Sequence, residues 1–79
     1  MNYKEFDLRG DSALVYFCEN DLKDSCIVAI PRWNWSFFMD YNISLEDEKP
    51  MLINTLTQKL NHQDAEDLAD KLYNFIFNN

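Results

Sequence analysis

The sequence predicts an α+β fold: an antiparallel sheet of three or four strands followed by two C-terminal helices packed on it. Three observations carry this. The first half alternates with a period of two, the second half repeats apolar residues at helical spacing, and Ser44-Leu45-Glu46-Asp47 marks the change with a capping serine followed by acids.

Tyr3–Arg9 reads as a weaker strand, with Phe6 and Leu8 on one face and Asp7 on the other, and Gly10-Asp11-Ser12 turns the chain. Ala13–Glu19 and Ser25–Pro31 are β-branched and aromatic runs joined by the polar Asn20–Asp24, which has hairpin-loop length. A loop symmetric about Leu22 sets Cys18 opposite Cys26, Tyr16 opposite Val28 and Leu14 opposite Ile30. The other face then carries Ala13, Val15 and Phe17 beside Ile27 and Ala29. Both faces are apolar, whereas a hairpin with one face in water shows polar residues at alternate positions. Pro31, without a backbone donor, places a bend before the third run. In Trp33–Tyr41, residues Trp33, Trp35, Phe37, Met39 and Tyr41 share one aromatic face and Asn34, Ser36, Phe38 and Asp40 the other.

The first helix begins between Ser44 and Pro50, because proline is tolerated only near a first turn. Its stripe is Leu52, Ile53, Leu56 and Leu60. Asn61–Asp64 breaks the helix and caps a second one, which turns Ala65, Leu68, Ala69, Leu72, Phe75 and Ile76 inward and Glu66, Asp67, Asp70 and Lys71 to water. Neither repeat nor linker interrupts the chain, so residues 1–79 are read as a single domain.

The composition fits a small globular protein. Of 79 residues, 47% are hydrophobic and 15% aromatic, with one Gly and two Pro, which excludes disorder and low-complexity character. One core is expected, with a stability of roughly 4–12 kcal/mol. The N-terminus is polar and acidic, without the order of a secretory signal, and no apolar run approaches the roughly 20 residues of a membrane span. A cytoplasmic, soluble protein is expected. Cys18 and Cys26 are expected as free thiols, too few with one histidine to complete a zinc site.

A net charge of −7 argues against direct contact with nucleic acid or an anionic membrane, and suits a basic surface on another protein. A lone glycine excludes phosphate-cradling loops. His62 falls at a helix boundary, a solvated or capping position. Asp47/Glu48 and Glu66/Asp67 are placed for capping and solubility, not for a general acid–base pair, which needs carboxylates in contrasting environments. Asp21 and Asp24 lack the spacing and central glycine of a calcium loop. No catalytic residue, cofactor or metal is therefore assigned.

The aromatic face of Trp33–Tyr41 is expected to be core. The opposite face, with Val15, Phe17, Ile27, Ala29 and Phe38, cannot be covered by the same helices, and such a surplus points to a partner or a homodimer. The acids expected to meet a partner lie at the hairpin tip and the strand-to-helix loop: Glu19, Asp21, Asp24, Asp40, Glu46, Asp47 and Glu48. The leading expectation is a non-enzymatic protein-binding module, an inhibitor or regulator that blocks a basic, nucleic-acid-binding surface. The alternatives are a homodimeric housekeeping protein and a small-ligand binder using the aromatic face.

The order Tyr16-Phe17-Cys18-Glu19-Asn20, then Ile27-Val28-Ala29-Ile30-Pro31 and Trp35-Ser36-Phe37, followed by a helix around Ala65–Tyr73, resembles the YueH-like proteins. These are bacterial proteins of about this length without an assigned function. The resemblance runs over most of the chain and implies a small bacterial cytosolic protein; it carries over no functional residue. In being short, acidic and aromatic the chain is also similar to phage-encoded inhibitors that mimic DNA, a likeness of composition alone.

Overall fold

The first hairpin is closed by the only glycine of the chain. Gly10 has φ 75°, a left-handed conformation that side chains disfavour, and it lets β1 (Asn2–Leu8) fold back on β2 (Asp11–Glu19). The pairing is antiparallel, from Leu8 opposite Asp11 to Asn2 opposite Phe17. A computed structural model describes residues 2–8 and 10–77; Arg9, the end of the expected first strand, lies outside the described residues.

The second hairpin joins β2 to β3 (Ser25–Ile30), and here the register differs from the expected one. Tyr16 pairs with Ala29, Phe17 with Val28, Cys18 with Ile27 and Glu19 with Cys26. Asn20 closes the hairpin: its N–H donates to the Ser25 carbonyl at 3.1 Å, and its Oδ1 accepts from the N–H of Asp24 (3.0 Å) and Ser25 (3.1 Å). The loop proper is therefore 21–24, an even number of residues, with Lys23 at φ 56°. The expected loop had an odd number centred on Leu22. A one-residue slip sends every side chain of one strand to the opposite face. Val15 and Phe17 accordingly share a face with Cys26, Val28 and Ile30, and Cys18 does not face Cys26.

Pro31–Trp33 forms a 3-10 turn and Asn34 turns left-handed at φ 53°, which is the expected bend. Trp33 belongs to this turn, and β4 runs from Trp35 to Asp40. The sheet order is β1-β2-β3-β4, antiparallel throughout. Two helices complete an α+β fold: α1 (Leu45–Leu56), capped by Ser44 Oγ accepting from the Asp47 N–H at 3.3 Å, and α2 (His62–Phe77), where Asn61 Oδ1 accepts from the Asp64 N–H at 2.8 Å.

Both helices lie on one side of the sheet, α2 toward β1 and α1 toward β4. The core beneath them contains Phe6, Val15, Phe17, Val28, Ile30, Trp35 and Met39 from the sheet, and Leu52, Leu56, Leu68 and Leu72 from the helices. Phe75 packs on Phe17 with ring centroids 4.6 Å apart and edge-on to Phe6 at 6.1 Å. Pro50 departs from its expected place. It is the sixth residue of α1, past the first turn, where it removes the donor that the Glu46 carbonyl would otherwise accept, at a cost of about 3 kcal/mol relative to a good helix former.

Both cysteines are free, Cys18 exposed and Cys26 buried. Burial also raises the Cys26 thiol pKa, which further lowers its reactivity. Native protein treated with a water-soluble thiol reagent is expected to take up one label rapidly, at Cys18, and the second only on unfolding. Rapid labelling of both would contradict the observed register.

Candidate functional site

Among the described residues, nothing packs over the side of the sheet away from the helices. Strand alternation sends Tyr3, Leu14, Tyr16, Cys18, Ile27, Ala29 and Phe38 to this side. The register sets them in rows, Cys18–Ile27–Phe38 beside Tyr3–Tyr16–Ala29–Ser36. Tyr3 is 67% exposed, Phe38 59%, Ile27 48% and Leu14 38%, values that belong to surface residues, not to a core. The Tyr3 and Tyr16 rings stand 5.9 Å apart. Around the patch the same alternation places Glu5, Asp7 and Asp40. The charged strand residues that alternation places on this face are all acids. The surplus apolar face expected from the sequence exists, but Val15 and Phe17 lie in the core, and Leu14, Tyr16 and Tyr3 take their place.

The two sheet edges are partly closed by side chains. Tyr41 N–H donates to the Asp24 carbonyl at 2.9 Å, so the alternation of antiparallel bonds turns the backbone groups of Ser36, Phe38 and Asp40 outward. Glu48 Oε2 accepts the outward Asp40 N–H at 2.9 Å. On the other edge, Lys71 Nζ donates to the Asp7 carbonyl at 2.9 Å. Such plugs blunt an edge against pairing with another strand.

The hairpin tip and the strand-to-helix loop meet at one end of the sheet, through the Tyr41–Asp24 backbone bond. Of the seven acids expected to face a partner, Asp21, Glu46 and Asp47 are exposed and make no side-chain hydrogen bond or ion pair among the described residues. Glu19 accepts from the Tyr41 hydroxyl at 2.9 Å, Asp24 accepts from the Asn20 side-chain amide, and Asp40 Oδ1 accepts from the Asn42 N–H at 2.9 Å. Glu48 is different. It is only 2% exposed, and its Oε1 accepts from the Tyr73 hydroxyl at 3.1 Å. It therefore ties β4, α1 and α2 together and leaves the solvent-facing set. The signal was present: Glu48, Leu52 and Leu56 repeat every four residues and share one helix face.

Two phenols report this packing. Burial and then the negative charge of Glu48 push the Tyr73 pKa above the ordinary tyrosine value, and partial burial followed by the hydrogen bond to Glu19 does the same for Tyr41. His62 stands exposed beside Glu66, 3.0 Å away. Among the described residues, no three His, Cys, Asp or Glu side chains are grouped to hold a metal ion.

Glu48→Ala leaves the Asp40 N–H and the Tyr73 hydroxyl without their acceptor and is expected to cost about 3 kcal/mol in urea unfolding, against under about 1 kcal/mol for Glu46→Ala or Asp47→Ala. The phenols predict the alkaline limb. A pKa raised on folding contributes stability that is complete below the unfolded value of 10.0 and fades above it. Unfolding free energy should therefore decline as pH rises past this value, and Tyr41→Phe combined with Tyr73→Phe should flatten the decline.

A family profile described as YueH-like protein matches residues 2–78. None of the curated proteins and none of the solved structures matches the chain. Because the profile spans nearly the whole chain, the protein belongs to the YueH-like family.

Proposed function

We propose that the protein is a non-enzymatic, cytoplasmic protein-binding module that lays its open sheet face on another protein. The surface it meets is apolar at its centre and basic around it. The observation that carries this reading is the uncovered apolar patch of Tyr3, Leu14, Tyr16, Ile27 and Phe38. Contiguous exposed patches of large apolar residues on small soluble proteins mark interaction sites, and aromatic residues are enriched at the centres of interfaces. Charge selects the partner. A second copy would bring Glu5, Asp7 and Asp40 against their own equivalents on a chain of charge −7, and like charges across an interface are repulsive. A ring of Lys and Arg is complementary to this rim, and the acids of the adjacent end, Glu19, Asp21, Asp24, Glu46 and Asp47, extend the match. Covering a basic surface of this kind excludes nucleic acid from it, which gives the module the role of an inhibitor or regulator.

A photo-crosslinking residue placed at Phe38 tests this in cells, with the same residue at Asp67 on the helical side as control. The expected result is an adduct with a different protein from Phe38 only, through a peptide rich in Lys and Arg. Ile27→Ser should weaken that association about tenfold or more while leaving the fold intact. Adducts only between copies of the chain would favour the homodimer instead, and equal yields from both positions would remove the sheet face from the proposal.

A further inference from the structure

The two edges of the sheet differ in a way that the open face does not explain. β1 carries Lys4, Glu5 and Asp7, charged residues of the kind with which edge strands resist pairing. β4 carries no charge from Trp35 to Met39. Phe38 is exposed on the outer side of this edge, and Phe37 is half-buried on the helical side. Met51 is exposed as well, on the flank of α1 opposite Lys49 and Ile53, which turn to α2.

The open stretch of β4 is short and bounded at both ends. Asp40 has its N–H on Glu48, and its carbonyl accepts from the Ile43 N–H at 3.1 Å. At the other end the Asn34 N–H donates to the Pro31 carbonyl at 3.0 Å. Between these limits the outward groups are the N–H and C=O of Ser36 and Phe38, and no bond among the described residues reaches them.

We infer that β4 pairs with β4 of a second copy, antiparallel and two-fold about Phe37, to form one continuous sheet. In this register Ser36 of each copy stands opposite Phe38 of the other and exchanges both backbone bonds with it, so every open group is used. Phe37 meets its own equivalent at the closely spaced, non-hydrogen-bonded position, an aromatic cross-strand pair. Asp40 falls opposite Asn34, with no charge against it. Charge selects this edge over the other. β1 pairing with itself about Lys4, Glu5 or Phe6 would set Lys4 on Lys4, Glu5 on Glu5 or Glu5 on Asp7, all repulsive. The layers also match in width: four strands about 4.8 Å apart span about as much as two helices about 8–10 Å apart, so both layers continue across the junction. The contact is isologous and closes at two copies. Its ladder stops at Asp40, so it is smaller than a standard interface and the dissociation constant is expected at about 10 µM to 1 mM. The Phe38 side chain stays on the outer face while its backbone pairs at the edge, and the two open faces join into one.

The test uses the purified full chain. Sedimentation equilibrium from about 10 µM to 1 mM is expected to show a reversible monomer–dimer equilibrium. The Ser36 and Phe38 amides should exchange with deuterium severalfold more slowly at the top of that range. Cys18→Ser combined with Phe37→Cys reads the register: mild oxidation should link this variant into a dimer, whereas Cys18→Ser with Lys4→Cys, on the other edge, should stay monomeric. Phe37→Lys sets like charges across the axis and should abolish the dimer, with circular dichroism to confirm the fold. A single monomeric species up to about 1 mM, equal linking from both edges, or a dimer untouched by Phe37→Lys would overturn the assignment. No other protein enters these measurements, so their failure leaves the sheet-face reading standing, and the lack of a face partner leaves the dimer standing.

Discussion

The architecture depends on the length of one loop. Asn20 gathers the N–H groups of Asp24 and Ser25 on a single side-chain oxygen, and this fixes four residues between the paired ends of β2 and β3. An even loop puts Phe17 opposite Val28, and with that pairing Val15, Phe17, Cys26, Val28 and Ile30 all turn toward the helices. Fully burying each such side chain contributes roughly 1.5–3 kcal/mol. An odd loop would spread the same residues over both faces, half of them under no cover. The hydrogen bonds of Asn20 thus determine which half of the strand residues the protein can use as a core.

Polar contacts then hold the helical layer against the sheet. Glu48 carries two of them, to the Asp40 N–H at the edge of β4 and to the Tyr73 hydroxyl on α2. A buried carboxylate is costly unless its oxygens are hydrogen-bonded, and here each oxygen has a donor. Lys71 makes the corresponding attachment on the opposite edge, at the Asp7 carbonyl. The two helices therefore do more than shield the apolar face. Each sends one charged group around a sheet edge, so that the edges are partly occupied while the broad outer face stays free.

That distribution explains where interaction is available. The acids at the end of the sheet are divided by their tasks: Glu19, Asp24, Asp40 and Glu48 accept bonds that shape the hairpin, the β4–α1 loop and the helix contact, while Asp21, Glu46 and Asp47 keep their carboxylates in solvent. The exposed apolar residues include Tyr3, Leu14, Ile27 and Phe38 on the outer sheet face, Leu22 at the tip of the hairpin, and Leu45, Met51 and Phe77 on the helices. A chain of this size cannot cover both faces of a four-stranded sheet with two helices, and the surface it leaves open is the one its acids surround.

The sequence by itself determined the fold class, the bend at Pro31, a first helix beginning between Ser44 and Pro50, a break and a new cap within Asn61–Asp64, the core position of Trp35 and the existence of a surplus apolar face. Each is a local property, read from alternation, helical spacing, capping residues or a missing donor, and tertiary contacts had no reason to override it. Membership of the YueH-like family was legible in the same strands and final helix. Only the tertiary structure decided which residues form the surplus face, because strand parity depends on a single residue of loop length and composition is blind to it. It alone decided that Glu48 is buried, since an acid in the first turns of a helix reads as a cap until β4 and Tyr73 arrive with their donors.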